Sequence, residues 1–326
     1  MSSGRAPAGI VAPPPEPRAA GAGPRPLKTR AAALSIASNS ALILLKVAAG
    51  SITGSVAILS EAMHSSIDLI ASIVAYISVR KADEPADAEH RYGHEKIENL
   101  SAAIEGMLIL VGSAVIAFEA IRHLVVGSEV QRLGIGIAVV AVSAAANLIV
   151  GTIVARRART TESAALEGDA AHLRTDALTS LGVLVGLALV QITGADWIDA
   201  VVALAVAVAI VVSGVRILTR SSRVLVDEAL PGEEQRAINE AVHAFGPRGV
   251  AGYHRLRTRR AGARRYVDLH VQFRAGTTLE AAHAIAHELT DEIRARLGGA
   301  DVLIHLEPEG SVHPGTEIDP GASTAG

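Results

Sequence analysis

The sequence predicts an α-helical membrane protein: six transmembrane helices with both termini cytoplasmic, followed by a small α+β cytoplasmic domain. Three observations predict it. Of the 326 residues, 50% are hydrophobic and only 19% charged, against about 25% charged in an ordinary soluble domain. The apolar residues, mostly Ala, Val, Leu and Ile, gather in six runs, each able to cross a hydrocarbon core of about 30 Å as a helix of about 20 residues. Beyond residue 224 the pattern changes to short elements punctuated by Pro and Gly.

Residues 1–30 are rich in Pro, Ala, Gly and Arg and hold no continuous apolar run, which predicts a disordered tail and no cleavable secretory signal. The transmembrane region is expected at 31–223, with spans near 31–50, 55–79, 100–124, 133–155, 164–192 and 197–218. Gly50 and Gly54 bracket the first turn, and Gly194 and Asp196 lie in the last. Lys and Arg fix the orientation, because cytoplasmic segments carry the excess. Arg5, Arg18, Arg25, Lys28 and Arg30 precede the first span; Arg80, Lys81, Arg91 and Lys96 lie between the second and third. Arg156, Arg157 and Arg159 follow the fourth, and Arg216, Arg220 and Arg223 end the sixth. The alternate connections offer only Arg122 and Arg132.

The cytoplasmic domain is expected at 224–310. Pro231-Gly232-Glu233-Glu234 opens a helix with two acids at its positive end. Strand patterns follow at 250–259 and 264–274, hinged at Ala261-Gly262, then a helix over 278–297 and a strand over Val302–Leu306. The order α-β-β-α-β makes a two-layer domain. Residues 311–326 are expected to be a disordered tail.

The net charge of −3 excludes a broadly basic nucleic-acid binder. The chain has no cysteine, so disulfides, thiolate metal sites and cysteine nucleophiles are excluded. Any metal falls to the 12 histidines and the carboxylates. The second span contains His64-Ser65-Ser66-Ile67-Asp68 and the fifth His172-Leu173-Arg174-Thr175-Asp176. A spacing of four puts both side chains of each pair on one helix face. His64 and Asp68 lie roughly 14 and 20 Å from the outer end of their span, and His172 and Asp176 roughly 12 and 18 Å from the inner end of theirs. The four groups therefore meet near the bilayer midplane, where ionisable residues are costly and mark function. Two imidazoles and two carboxylates suit tetrahedral zinc. Interhelical polar bonding is the rival reading of one pair; two identical pairs at matched depth favour a metal. For Asn39, Lys46, Glu105 and Asn147, packing or interhelical hydrogen bonding is the expected role.

In the second-to-third connection, Asp87, His90 and His94 fall within eight residues and could chelate zinc, with Glu89 as a substitute for Asp87; a solvated polar loop would read the same way. A zinc-dependent enzyme would want His-Glu-x-x-His on a helix. His94-Glu95 and His287-Glu288 both lack the second histidine.

With the paired His-x-x-x-Asp motifs, residues 31–308 resemble the cation diffusion facilitators, a family of divalent-metal/proton antiporters. The resemblance implies that His64, Asp68, His172 and Asp176 bind the transported ion, and that His at 64 follows the zinc-selective pattern. It implies a second zinc at Asp87, His90 and His94, and a charge interlock between Lys96 and Asp227 near a homodimer interface. The C-terminal domain resembles the family's metallochaperone-like regulatory domain, which dimerises and binds zinc. Matching positions are His254, His270, His283, His305 and Glu307, where Glu307 replaces the family's Asp; His287 is an extra candidate. The implied protein is a Zn2+/H+ antiporter in the bacterial cytoplasmic membrane, surrounded by lipid and no nucleic acid. Zinc is both substrate and regulatory ion, and protons are the counter-ion. Export of Cd2+, Co2+, Fe2+ or Ni2+ is the rival within the class, and a non-transporting membrane metal sensor the rival outside it.

Overall fold

The computed structural model describes residues 25–53, 56–126, 134–195 and 197–318. The expected tail over 1–30 falls outside them except for its last residues, and these are helical. Six long helices come first: α1 (Arg25–Thr53), α2 (Val56–Ala82), α3 (Lys96–Val126), α4 (Gly134–Thr161), α5 (Ala164–Thr193) and α6 (Trp197–Leu225). Among the described residues, five stretches are long and apolar enough to cross a membrane: Leu27–Ile52, Lys96–Val125, Ile137–Thr161, Ala164–Val190 and Ala200–Leu225. Helix α2 has 27 residues, much the same length, but several of its side chains near His64 lie outside the described set.

The helices pack as α1 on α2, α4 on α5 and α3 on α6. Small residues permit the last contact. A Cβ on Gly106 would stand 3.0 Å from the backbone nitrogen of Leu218 and 3.3 Å from the carbonyl oxygen of Gly214, as expected where helix backbones approach closely. Large apolar side chains such as Leu44, Val111, Phe118, Val208 and Ile192 face outward as an exposed apolar surface.

Polar groups tie the bundle inside. Ser35 and Ser72 donate to Asp169 Oδ1, each at 3.0 Å, and Asn39 Nδ2 donates to Ser72 Oγ at 2.9 Å. Lys46 Nζ donates to Ser65 Oγ at 2.7 Å. Asn39 and Lys46 thus hold the interhelical bonds expected of them. Lys28 Nζ sits 2.9 Å from Glu98 Oε1, and both side chains are almost wholly buried. This pair holds the first described turn of α1 against α3, where the composition of the tail indicates no helix. Ser163 caps α5 by accepting from Leu166 N, and also donates to Glu98.

The C-terminal domain comprises α7 (Gly232–Ala244), β1 (Val250–Ala261), β2 (Arg264–Phe273), α8 (Leu279–Arg296) and β3 (Asp301–Pro308). β1 and β2 pair as an antiparallel hairpin, and β3 returns parallel to β2 after the α8 crossover, in the order β1-β2-β3. Alternation along a strand puts successive side chains on opposite faces. Val267, Leu269 and Val271 of β2 join a core with Ile238 and Val242 of α7 and Ala282, Ala286, Leu289 and Ile293 of α8. The other face carries His254, His270, His305 and Glu307. Residues 312–318 were expected to be disordered, yet they lie along β1: Ile318 N donates to Ala251 O at 2.9 Å, and Gly252 bridges Glu317. Residues 319–326 lie outside the described set.

The hairpin turn docks on the helices. Gly262, with φ of 55°, donates its N–H to Asn99 Oδ1 at 3.3 Å. Tyr266 Oη donates to Tyr92 O at 2.8 Å, and Arg260 and Arg265 reach Glu162.

Candidate metal centres

Among the described residues, three groups of nitrogen and oxygen donors stand close enough to hold a metal ion. The first joins α2 to α5 inside the helical domain. His172 Nε2 lies 3.1 Å from Asp68 Oδ1 and 3.7 Å from Asp176 Oδ2. Asp68 and His172 are 6% and 8% exposed, so the group is shut from bulk water. The i, i+4 spacing delivers His172 and Asp176 from one helix face, and Asp68 crosses from the facing helix. His64 lies one turn before Asp68 on α2, and its side chain lies outside the described residues. Arg174 is exposed, apart from the group.

Asp169, with its two serine donors, occupies the same helix one turn before His172. Glu105 of α3 packs against Gly168, and neither carboxylate oxygen has a hydrogen-bond partner. Of the two roles expected for Glu105, packing or interhelical hydrogen bonding, it takes packing; Asn147 Oδ1 likewise has no hydrogen-bond partner.

The second group is Asp87, His90 and His94, between α2 and α3. Asp87 Oδ1 accepts the backbone N–H groups of Glu89 and His90 at 2.9 and 2.6 Å, an Asx-type turn that presents the carboxylate to both rings. Its other oxygen lies 3.3 Å from His94 Nε2, and His90 Nδ1 lies 3.3 Å from Oδ1. The His90 backbone bond, joined by that of Glu89 and the nearby histidines, outweighs burial and holds the Asp87 carboxyl below its ordinary value. His94 is 4% exposed, yet neither ring nitrogen makes a hydrogen bond. Buried polar atoms need partners, and a cation shared with Asp87 and His90 would satisfy His94. Glu89 is exposed and outside the group.

The third group is His254, His270 and Glu307, on the open sheet face. His254 and His270 are register partners on β1 and β2, and His270 pairs with His305 on β3. Glu307 Oε1 lies 2.7 Å from His270 Nδ1, and Oε2 lies 3.0 Å from His254 Nε2 while accepting from Gln272 Nε2 at 2.8 Å. Burial acts to raise the Glu307 pKa, but the bonds from Gln272 and His270, with His254 close beside it, outweigh it and bring it down to about 2. The carboxylate is therefore ionised and ready to meet a cation. His305 stands at the margin, 4.0 Å from Glu307 Oε1. His283 is not brought to this group. It is exposed on α8, the helix layer that covers the opposite face of the sheet, and its Nε2 lies 3.1 Å from His287 Nε2. Spacing along the chain does not reveal which sheet face a crossover helix covers.

Two features escaped sequence reasoning. His313, assigned to the tail, stacks on His254 with ring centroids 4.7 Å apart. Lys28 reads as a topology marker in the sequence and is in fact a buried ion-pair partner. The expected interlock is present as geometry: Lys96 Nζ lies 2.8 Å from Asp227 Oδ1, with Arg259 at 3.3 Å. Lys96, then Arg259, holds the Asp227 pKa below its ordinary value.

Residues 32–226 match the family model described as the cation efflux transmembrane domain, and residues 230–309 match that of the cation efflux protein cytoplasmic domain. The chain belongs to the cation diffusion facilitator family. The Synechocystis sp. transporter sll1263 is 35% identical over 277 residues, 85% of this chain and 89% of the relative. The cation-efflux pump FieF of Klebsiella pneumoniae is 36% identical over 287 residues, covering 88% and 94%. FieF of Yersinia pestis is 38% identical over 281 residues, covering 86% and 92%. This cation diffusion facilitator is an integral membrane protein of the bacterial inner membrane and a cation efflux transporter. Divalent metal ions are the substrates of its family. All three groups offer such ions nitrogen and oxygen donors, and the chain has no cysteine thiolate to add.

Proposed function

We propose that this protein exports zinc from the cytoplasm in exchange for protons, with His64, Asp68, His172 and Asp176 as the transport site. The observation that carries the reading is the buried convergence of Asp68, His172 and Asp176 from two helices, with His172 Nε2 3.1 Å from Asp68. One imidazole and two carboxylates, joined by His64 one turn along α2, make a tetrahedral N2O2 set. Imidazole ligates only when neutral, so metal and protons compete for the same nitrogen. A site alternately open to each side therefore loads metal where protons are scarce and releases it where they are abundant, and the proton gradient drives export. The relatives named as cation-efflux pumps support the direction.

In this reading α2 is a sixth span, both termini are cytoplasmic, and the transport domain covers 31–223 with a regulatory domain at 224–310. The chain acts as a homodimer, in accord with the cytoplasmic-domain family match. Asp87, His90 and His94 bind a second zinc, and His254, His270, His305 and Glu307 bind regulatory zinc. Lys96 and Asp227 lock α3 to the start of the cytoplasmic domain.

Proteoliposomes enclosing a zinc dye test the proposal. Zinc uptake should rise when the lumen is acidified, and Asp176→Ala should abolish it. Uptake indifferent to an imposed pH gradient refutes antiport, and normal uptake by Asp176→Ala refutes the site. Competition by Cd2+, Co2+, Fe2+ and Ni2+ in the same vesicles ranks the substrates.

A further inference from the structure

The sheet-face group has an unclaimed neighbour. Four imidazoles cross the sheet in a row. The ring centroids of His305 and His270 lie 4.6 Å apart, those of His270 and His254 5.1 Å, and those of His254 and His313 4.7 Å. The first three stand on β3, β2 and β1, and the fourth comes from the tail that extends the sheet past β1. The His254–His313 separation falls within the range set by the other two. His254 Nε2 is buried without an aligned hydrogen bond. His254, His270 and Glu307 bring their donor atoms together, with His305 at the margin, 4.0 Å from Glu307 Oε1.

The tail holds His313 there by its own bonding. Thr316 donates to the His313 carbonyl through both N–H, at 3.1 Å, and Oγ1, at 2.9 Å. Gly315 takes the left-handed φ of 87° that this turn requires. Downstream, Ile318 is 4% exposed in the domain core, and its carbonyl accepts from Arg274 at 3.3 Å. Upstream, the Glu309 side chain accepts from Ala275 N at 2.7 Å. Gly252 makes room for the tail: a Cβ there would stand 2.7 Å from Thr316 O.

We infer that His313 is a ligand for the cation held at His254 and Glu307, so that metal binding staples the C-terminal tail to β1. The inference rests on the proposed metal binding at His254, His270 and Glu307. The tail is docked before the ion arrives, so this donor is supplied without ordering a free segment.

Carbethoxylation of histidines in the full-length protein in detergent micelles, mapped by peptide mass spectrometry with and without zinc, tests it. Zinc should cut modification of His313 roughly tenfold, together with that of His254 and His270, and His254→Ala should abolish the protection of His313. His313→Ala should weaken zinc binding in competition with a chromophoric chelator by about tenfold. Gly252→Ala, which pushes the tail off β1 and removes no ligand, should match it. Protection of His254 and His270 without His313 overturns the inference and leaves the metal site standing. Protection of none of the three overturns both. Protection of His313 that persists in His254→Ala marks shielding by another cause and overturns the inference alone.

Discussion

Replacing Lys28 by Met leaves Glu98 buried without its cation. Lys28 Nζ is 2.9 Å from Glu98 Oε1 and 3.8 Å from Asp83 Oδ1, and the Lys28 and Glu98 side chains are 7% and 2% exposed. The group joins the first turns of α1 and α3 to the cap of α5, because Ser163 also donates to Glu98. Breaking one partner of a buried pair costs about 3–5 kcal/mol, since the remaining charge has lost its solvation and gained nothing. The hydroxyl of Ser163 offsets only part of that, as a hydrogen bond to a charged group is worth about 1.5–3 kcal/mol. Replacing both partners by residues of similar volume removes the penalty with the charge. Lys28→Met should therefore lower the thermal midpoint of the full-length protein in micelles by about 10 °C, and Lys28→Met/Glu98→Met should recover most of the loss. Fluorescence-detected size-exclusion after heating reads both. A double variant no more stable than Lys28→Met would refute the argument from desolvation.

Tyr266 is 6% exposed, and burial pushes its pKa up to about 12. A phenol ionises near 10 when unfolded, so its contribution is complete below pH 10 and is lost as pH rises towards 12, a total of about 3 kcal/mol; a midpoint-against-pH series should show this slope in the wild type and not in Tyr266→Phe. The same substitution removes the bond to Tyr92 O and should cost about 1 kcal/mol at neutral pH. Gly106→Ala puts a methyl 3.0 Å from the Leu218 backbone and should destabilise the α3–α6 contact by about 1–3 kcal/mol, whereas Gly112→Ala, which meets nothing within 4 Å, should not. Chelating the metal from wild-type protein should lower the midpoint, and the same treatment of Asp87→Ala should lower it less, read by the same heating assay.

The α2–α5 donor group was legible because a helix converts a spacing of four into proximity whatever surrounds it. His172 and Asp176 needed only that rule, and matched depth brought Asp68 to them. The loop group was legible for a similar reason, since eight residues of chain cannot separate its donors far. The strand histidines were half legible. His254, His270 and His305 are register partners, and register is fixed by the turn at Gly262 and the α8 crossover. His283 depended on which face α8 covers, and the alternation of Val267, Leu269 and Val271 decides that against it. Lys28 and His313 were not legible. Each lies in a segment whose composition reads as disordered, and each is ordered by one distant partner: Glu98 for Lys28, and β1 for the tail.

The metal groups also lie along a connected mechanical route. His94 is followed directly by Glu95 and Lys96, which open α3. Lys96 pairs with Asp227 at the exit of α6, and Tyr92 accepts the hydroxyl of Tyr266. Tyr266 lies on β2 four residues before His270, on the same face by strand alternation. An ion held by the loop group would fix the start of α3, and one held on the sheet would fix β2 and β3 together. Both constraints meet at the Tyr92–Tyr266 and Lys96–Asp227 contacts, beside the Asn99–Gly262 bond. Helix α3 then carries that position inward to Ala102 and Glu105, which lie against Gly168 of α5, one turn from His172. In the proposed reading, metal at the loop and sheet groups would act on the Asp68–His172–Asp176 group through the position of α3 at this joint, with no contact to the transported ion.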